Sequence, residues 1–167
     1  MRKSILSVMG GAFVLLAFAG PAGAQSMPGA AAQSGQQGFG NTVVVSEGRI
    51  VVGEPANQTT PGYVYLYERD GDGEWTRAAQ IESPDASNGD QFGRALAVEG
   101  DLMVTSATAD EATAVYVFGR EGDGWAMRQR LAAPEAAADE LFGRAVALSG
   151  EHLLVSAWAA DDSTGAV

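Results

Sequence analysis

The chain has 167 residues, ten lysines and arginines against 21 aspartates and glutamates, one histidine and no cysteine. Without cysteine there is no disulfide, thiol nucleophile or cysteine–zinc site, so packing alone must hold the fold. A net charge of −11 argues against polyanionic partners, nucleic acid and acidic membrane surfaces among them.

Arg2 and Lys3 open the chain, an apolar run follows from Ile5 to Gly20, and then come Pro21 and the small triplet Ala22-Gly23-Ala24. This is the pattern of a secretory signal peptide, residues 1–24, with cleavage before Gln25. The apolar run of about 16 residues is shorter than the roughly 20 that a membrane span needs. Gly10, Gly11 and Gly20 weaken the membrane-anchor reading further. No cysteine follows the run to take a lipid, so no membrane insertion is expected once the leader is removed. The remaining chain, 25–167, keeps eight arginines and 21 acids, a formal charge of −13, and is one domain's worth of sequence. It is expected in the periplasm, outside the cell or on the cell surface.

Residues 25–37, QSMPGAAAQSGQQ, are small, polar and without periodicity, and read as a flexible linker. The rest of the chain repeats itself. Phe39-Gly40, Phe92-Gly93 and Phe142-Gly143 open three copies, spaced 53 and 50 residues apart. Val64, Val115 and Val167 follow them at offsets of 25, 23 and 25, while Trp75 and Trp125, Ile81 and Leu131, and Pro84 and Pro134 each recur 50 residues apart. The copies run over about 38–90, 91–140 and 141–167, the last one short.

Each full copy holds four strand-like runs, which in the second are 95–98, 102–107, 114–119 and 125–131. Gly/Asp turns separate them, so each copy reads as an antiparallel meander. In the first strand Leu96 and Val98 face one way and Ala95 and Ala97 the other, so neither face is polar. A strand apolar on both faces is covered on both. Meanders stacked face to face about an axis satisfy this. The expected fold is therefore all-β: antiparallel four-stranded meanders arranged as blades of an incomplete β-propeller, two full blades and half of a third. The fourth strand, WTRAAQI or WAMRQRL, mixes Arg and Gln with apolar residues and suits an outer edge.

The string F-G-x-A-V-A-L-S-G-E-x-L-L-V-S-A, then an acidic loop, A-V-Y-V-F and G-x-W, resembles the FG-GAP repeat of integrin α chains and bacterial secreted proteins. The resemblance covers 38–167. The G-A-P element has drifted to Gly53-Glu54-Pro55, Thr105-Ser106-Ala107 and Ser156-Ala157-Trp158, and Gln37 stands where Asp90 and Glu140 precede the later Phe. Integrin-type repeats carry a calcium loop between their first two strands. Here those connections (Ser46 to Arg49, Glu99 to Asp101, Ser149 to His152) are tight turns with too few carboxylates, so calcium is not carried over. Val167 aligns with the start of a third strand. This suggests a fragment of a longer protein that supplies the remaining blades, with assembly between chains as the lesser reading.

Asp70-Gly71-Asp72-Gly73 looks like part of a calcium loop but lacks the later ligands, and like Glu121-Gly122-Asp123-Gly124 reads as a turn. Asp110-Glu111 and Asp161-Asp162 fall in loops between second and third strands, where a cation or partner could bind. Trp75 and Trp125 recur and read as packing. Trp158 does not recur and is the better candidate for a ligand contact, although packing is the first reading for it too. Tyr63, Tyr65 and Tyr67 form one face of a strand. Asn57-Gln58-Thr59 matches a glycosylation acceptor. His152 sits in a hairpin with no acidic partner fixed by a motif, so no catalytic, metal or cofactor residue is assigned. The expectation is a secreted or cell-surface, non-enzymatic binding or adhesion scaffold for a protein or carbohydrate ligand. Its rivals are the N-terminal part of a secreted propeller enzyme and a calcium-stabilised structural module.

Overall fold

A computed structural model describes residues 38–55, 61–85, 87–109, 112–132 and 142–157. Within them the chain is all-β. The first sheet is β1 (Thr42–Ser46), β2 (Arg49–Glu54), β3 (Tyr63–Arg69) and β4 (Trp75–Glu82). The second is β5 (Leu96–Glu99), β6 (Leu102–Ala109), β7 (Ala112–Glu121) and β8 (Gly124–Leu131). Both are antiparallel meanders with strands in chain order. A third sheet pairs β9 (Phe142–Ser149) with β10 (His152–Ala157). The expected strands agree with these to within a few residues. Val167 and the connection before Phe142 lie outside the described residues.

Two-residue turns join the first two strands of every sheet. Glu47 and Gly48 both take positive φ (48° and 76°), the pair of left-handed residues that a type I′ hairpin requires.

Strand register sorts the side chains onto two faces of each sheet. The front face of the second sheet carries Leu96, Val98, Met103, Ala107, Ala114, Tyr116 and Phe118. It packs against the back face of the first, where Val44, Val51, Val64, Leu66, Ala79 and Ile81 lie, and Phe92 fills the seam. The third sheet packs in turn on β5, β6 and β7. Among the described residues only the middle blade is sandwiched. β5 is covered on both sides, whereas Val43 and Val45 on β1 are 45% and 70% exposed, and Leu154 on β10 is 47% exposed.

The fourth strands hold a feature that alternation hides. Leu66 pairs with Ala79 but Tyr67 pairs with Arg77, leaving Ala78 as an extra residue; Val117 and Phe118 skip Arg128 in the same way. This repeated bulge flips the period-two pattern midway. Trp75 therefore joins the front-face cluster of Ile50, Val52, Tyr65 and Tyr67, while Ile81, six residues on, packs on the back face. Beyond Trp75 and Trp125 the same strands expose Thr76, Arg77, Arg128 and Arg130, a charged outer edge unsuited to strand addition.

Candidate functional site

The blades have two ends. One carries the β1–β2 and β3–β4 hairpins. The other gathers the β2–β3 loops, the β4–β5 crossover and the Phe-Gly turns.

Phe92-Gly93 explains why each copy opens as it does. The Phe92 ring is fully buried and meets Tyr116 and Phe118 edge-on at 5.6 and 6.1 Å between centroids. Gly93 has φ of 90°, donates its N–H to Ser106 O at 3.0 Å, and lies against the preceding blade. A Cβ there would come within 2.7 Å of Tyr63 O. In turn, a Cβ on Gly53 would strike Gly93 O, and one on Gly62 would strike Phe92 O. Gly143 repeats the arrangement: its Cβ would fall 2.8 Å from Val115 Cγ2. The Phe92-Gly93 turn is thus bonded to its own sheet, and like Gly143 it is seated in the sheet before.

Asp90 latches this joint. Its carboxylate is nearly buried and accepts backbone N–H groups from Phe92 (3.1 Å), Gly62 (3.3 Å) and Ser87 (3.3 Å). Its own carbonyl accepts from Thr108 N at 2.8 Å. One residue therefore binds the first blade, the crossover and the second blade. Next to it Gln91 takes positive φ (56°), as Gly38 does (113°) at the matching position. Asp85 adds a second tie: Arg130 Nε at 2.9 Å and the Tyr116 hydroxyl at 3.1 Å both donate to its Oδ2.

Glu54 is the least expected group. It is 1% exposed and accepts the Tyr65 hydroxyl at 2.7 Å. Burial pushes its pKa above the ordinary carboxylate range, and the tyrosine hydrogen bond opposes that only in part. The corresponding positions of the other copies are Ala107 and Ala157. Burial likewise raises the Tyr67 phenol, with Arg77 opposing and Glu54 adding to the shift.

At the hairpin end, Glu68 receives Arg49 at 3.3 Å and, from the second blade, Arg120 at 3.6 Å. Arg49 also donates to Gly100 O at 2.8 Å, and Glu99 accepts Gly150 N from the third sheet at 2.9 Å.

The residues singled out above fall as follows. Asp70 folds its carboxylate onto the N–H groups of Asp72 (3.1 Å) and Glu74 (2.9 Å), which makes it a turn-forming residue. Glu121 pairs with Arg128 at 3.1 Å across its hairpin. Among the described residues no three acids or histidines cluster as a metal site. Trp125 packs into the seam between blades, and the Arg69 guanidinium lies 4.9 Å over the Trp75 ring. Tyr63, Tyr65 and Tyr67 do share one face, opposite Glu54, Val52 and Ile50. His152 is exposed at the start of β10, opposite Ser149. Asn57-Gln58-Thr59, Asp110-Glu111, Trp158 and Asp161-Asp162 lie outside the described residues. The structural roles of Glu54, Asp85, Arg49 and Glu68 were not anticipated. Asp85 had a signal, since an acid follows the repeated proline in both copies, as Asp85 and Glu135.

Meanders of four strands, stacked face on face and keyed by a left-handed glycine in each crossover, define a blade-repeat protein of the β-propeller kind. Comparison with known families gives it a name. A sequence profile described as FG-GAP repeat matches residues 75–118 and 125–167, just over half of the chain, and the chain belongs to that family. Both matched windows start at the tryptophan of one blade and run through the Phe-Gly turn into the next. No curated protein matches the chain.

Proposed function

We propose that this protein is a secreted or cell-surface, non-enzymatic scaffold that binds a protein or carbohydrate through the end of the blades where the Phe-Gly turns gather. The carrying observation is where the repeats differ. The β1–β2 hairpin is two residues in all three sheets, yet the β2–β3 connection is eight residues in the first blade and two in the second. The β3–β4 hairpins at the opposite end differ less, five residues against two, and a rigid frame whose loops vary most at one end is how scaffolds present recognition surfaces. The buried acids there, Asp90 and Glu54, are committed to backbone and tyrosine partners, which suits support better than proton transfer. The leader pattern over 1–24 and the family favour a place outside the cytoplasm.

The test is binding of the purified chain to a glycan array and to extracellular proteins of its host, repeated after deletion of residues 56–60. Loss of binding with an unchanged circular dichroism spectrum supports the assignment. Retained binding places recognition elsewhere, and turnover of the bound ligand refutes a non-enzymatic role. A melting temperature raised by calcium and not by magnesium would favour a calcium-stabilised module instead.

A further inference from the structure

The crossover between the first two blades carries a reactive pair that neither the packing nor the proposed binding uses. Asn88 precedes Gly89 there, whereas Asn41 precedes Thr42 and Asn57 precedes Gln58. Asn88 is exposed to water, and Gly89 has no Cβ to crowd its backbone nitrogen. Gly89 also holds φ of 85°, which suits glycine and few other residues. The four residues Ser87 to Asp90 close on themselves twice. Asp90 N donates to Ser87 O at 3.2 Å, and Ser87 N donates to Asp90 Oδ2 at 3.3 Å. The other oxygen of that carboxylate, Oδ1, accepts Phe92 N at 3.1 Å and Gly62 N at 3.3 Å. The length of backbone between Ser87 and Asp90 therefore sets where the latch carboxylate sits.

We infer that Asn88 is a site of spontaneous deamidation, and that isoaspartate formed there releases the Asp90 latch between the first two blades. The Gly89 nitrogen attacks Asn88 Cγ. The N–Cγ bond forms, the Cγ–Nδ2 bond breaks, and the side-chain nitrogen leaves as ammonia with the proton that the Gly89 amide gives up. Water then opens the cyclic imide at one of its two carbonyls. Attack at Cγ yields aspartate. Attack at the main-chain carbonyl yields isoaspartate, whose backbone runs through Cβ and Cγ. The net change is water in and ammonia out, with no oxidation or reduction. Isoaspartate lengthens the backbone between Ser87 and Asp90 by one methylene, so the two turn bonds and the two latch bonds no longer close together. The aligned pair in the second crossover is Ala138-Asp139, so this chemistry singles out the first joint. The inference is independent of the ligand proposed above.

Ageing of the purified chain in warm, mildly alkaline buffer tests it. Asn88→Gln, whose longer side chain closes an imide far more slowly, is aged beside it, and a free peptide of residues 83–94 serves as the clock. Peptide mapping by mass spectrometry, with isoaspartyl methyltransferase labelling, locates the product. Conversion is expected at Asn88 ahead of Asn41 and Asn57. The aged wild type should show a lower urea midpoint, and hydrogen exchange at the Phe92 and Gly62 amides should be about tenfold faster or more, the scale of losing a bond to a charged acceptor. Aged Asn88→Gln should keep the midpoint and exchange rates of its own fresh sample. An Asn88 still intact when the free peptide has converted overturns the site. Isoaspartate at position 88 with unchanged midpoint and exchange, or an aged Asn88→Gln that loses stability as the wild type does, overturns the release of the latch.

Discussion

Replacing Thr105 by valine should make the protein more stable, although it removes a polar group from an ordered strand. Thr105 lies mid-strand in β6, between Leu96 and Tyr116, fully buried in the seam of the first two blades. Its Oγ1 has no hydrogen-bond partner. A buried hydroxyl left unpaired forfeits about 1–3 kcal/mol of hydration. Valine has the same shape, so the change leaves no cavity and costs no new rotamer freedom. The other two copies place Val52 and Val155 at this position, so the strand environment accepts the side chain. The expected gain is about 1–2 kcal/mol, drawn from the desolvation cost of the hydroxyl. For a domain of this size each kcal/mol raises the midpoint by roughly 3–6 °C. Thermal unfolding followed by circular dichroism, and urea unfolding with an unchanged m-value, measure it. Thr105→Ala supplies the control: it removes the same hydroxyl but opens a void, so the order of stability should be Val, then Thr, then Ala. A valine variant no more stable than the wild type would mean the hydroxyl is satisfied after all, and the reasoning fails.

Three more outcomes are expected. Gly93→Ala should destabilise by about 2–4 kcal/mol, summing the left-handed backbone penalty and displacement of the Tyr63 carbonyl; urea unfolding reads it. Asp90→Ala strands three backbone donors and should cost about 3 kcal/mol or more, with Asp90→Asn in between, again by urea midpoint. Glu54 has a folded pKa above its unfolded one, so the native state holds its proton more tightly. Its contribution is therefore most favourable below the unfolded pKa and is lost as pH rises through the folded one. Glu54→Gln should accordingly raise the melting temperature at neutral pH, with the gain shrinking toward acid pH; a gain constant across pH would contradict the burial argument.

The architecture could be read from the chain because its signals are local and occur more than once. Phe-Gly, the glycine turns and the two-sided apolar first strand each repeat, and repetition separates pattern from accident. What escaped reading depends on contacts across blades. Trp75 and Ile81 lie an even number of residues apart, which in a regular strand would put them on one face. The bulge at Ala78 sends them to opposite interfaces, and no single residue announces it. Glu54 stands in an apparently degraded G-A-P element, yet it is a buried acid with a tyrosine partner, which only the register of β2 against β3 reveals. Asp90 lay between these cases. Its recurrence as Glu140, at the same distance before Phe, marked it, but its reach to Gly62 in another blade is a property of three dimensions.

The phase of the family repeat bears on how such proteins gain and lose length. A segment from Trp75 to Phe118 is not a free-standing sheet; it is a joint. It holds the outer strand of one blade, the latched crossover, and strands of the next that offer a seat at Ser106 and Val115 to the following Phe-Gly turn. Duplicating that segment copies a fitted connection, with its own hinge glycine and its own latch, instead of a sheet that must find new neighbours. An ancestral gene could therefore lengthen by whole steps while the joints already present stayed as they were, and the stacking angle would be inherited through the crossover.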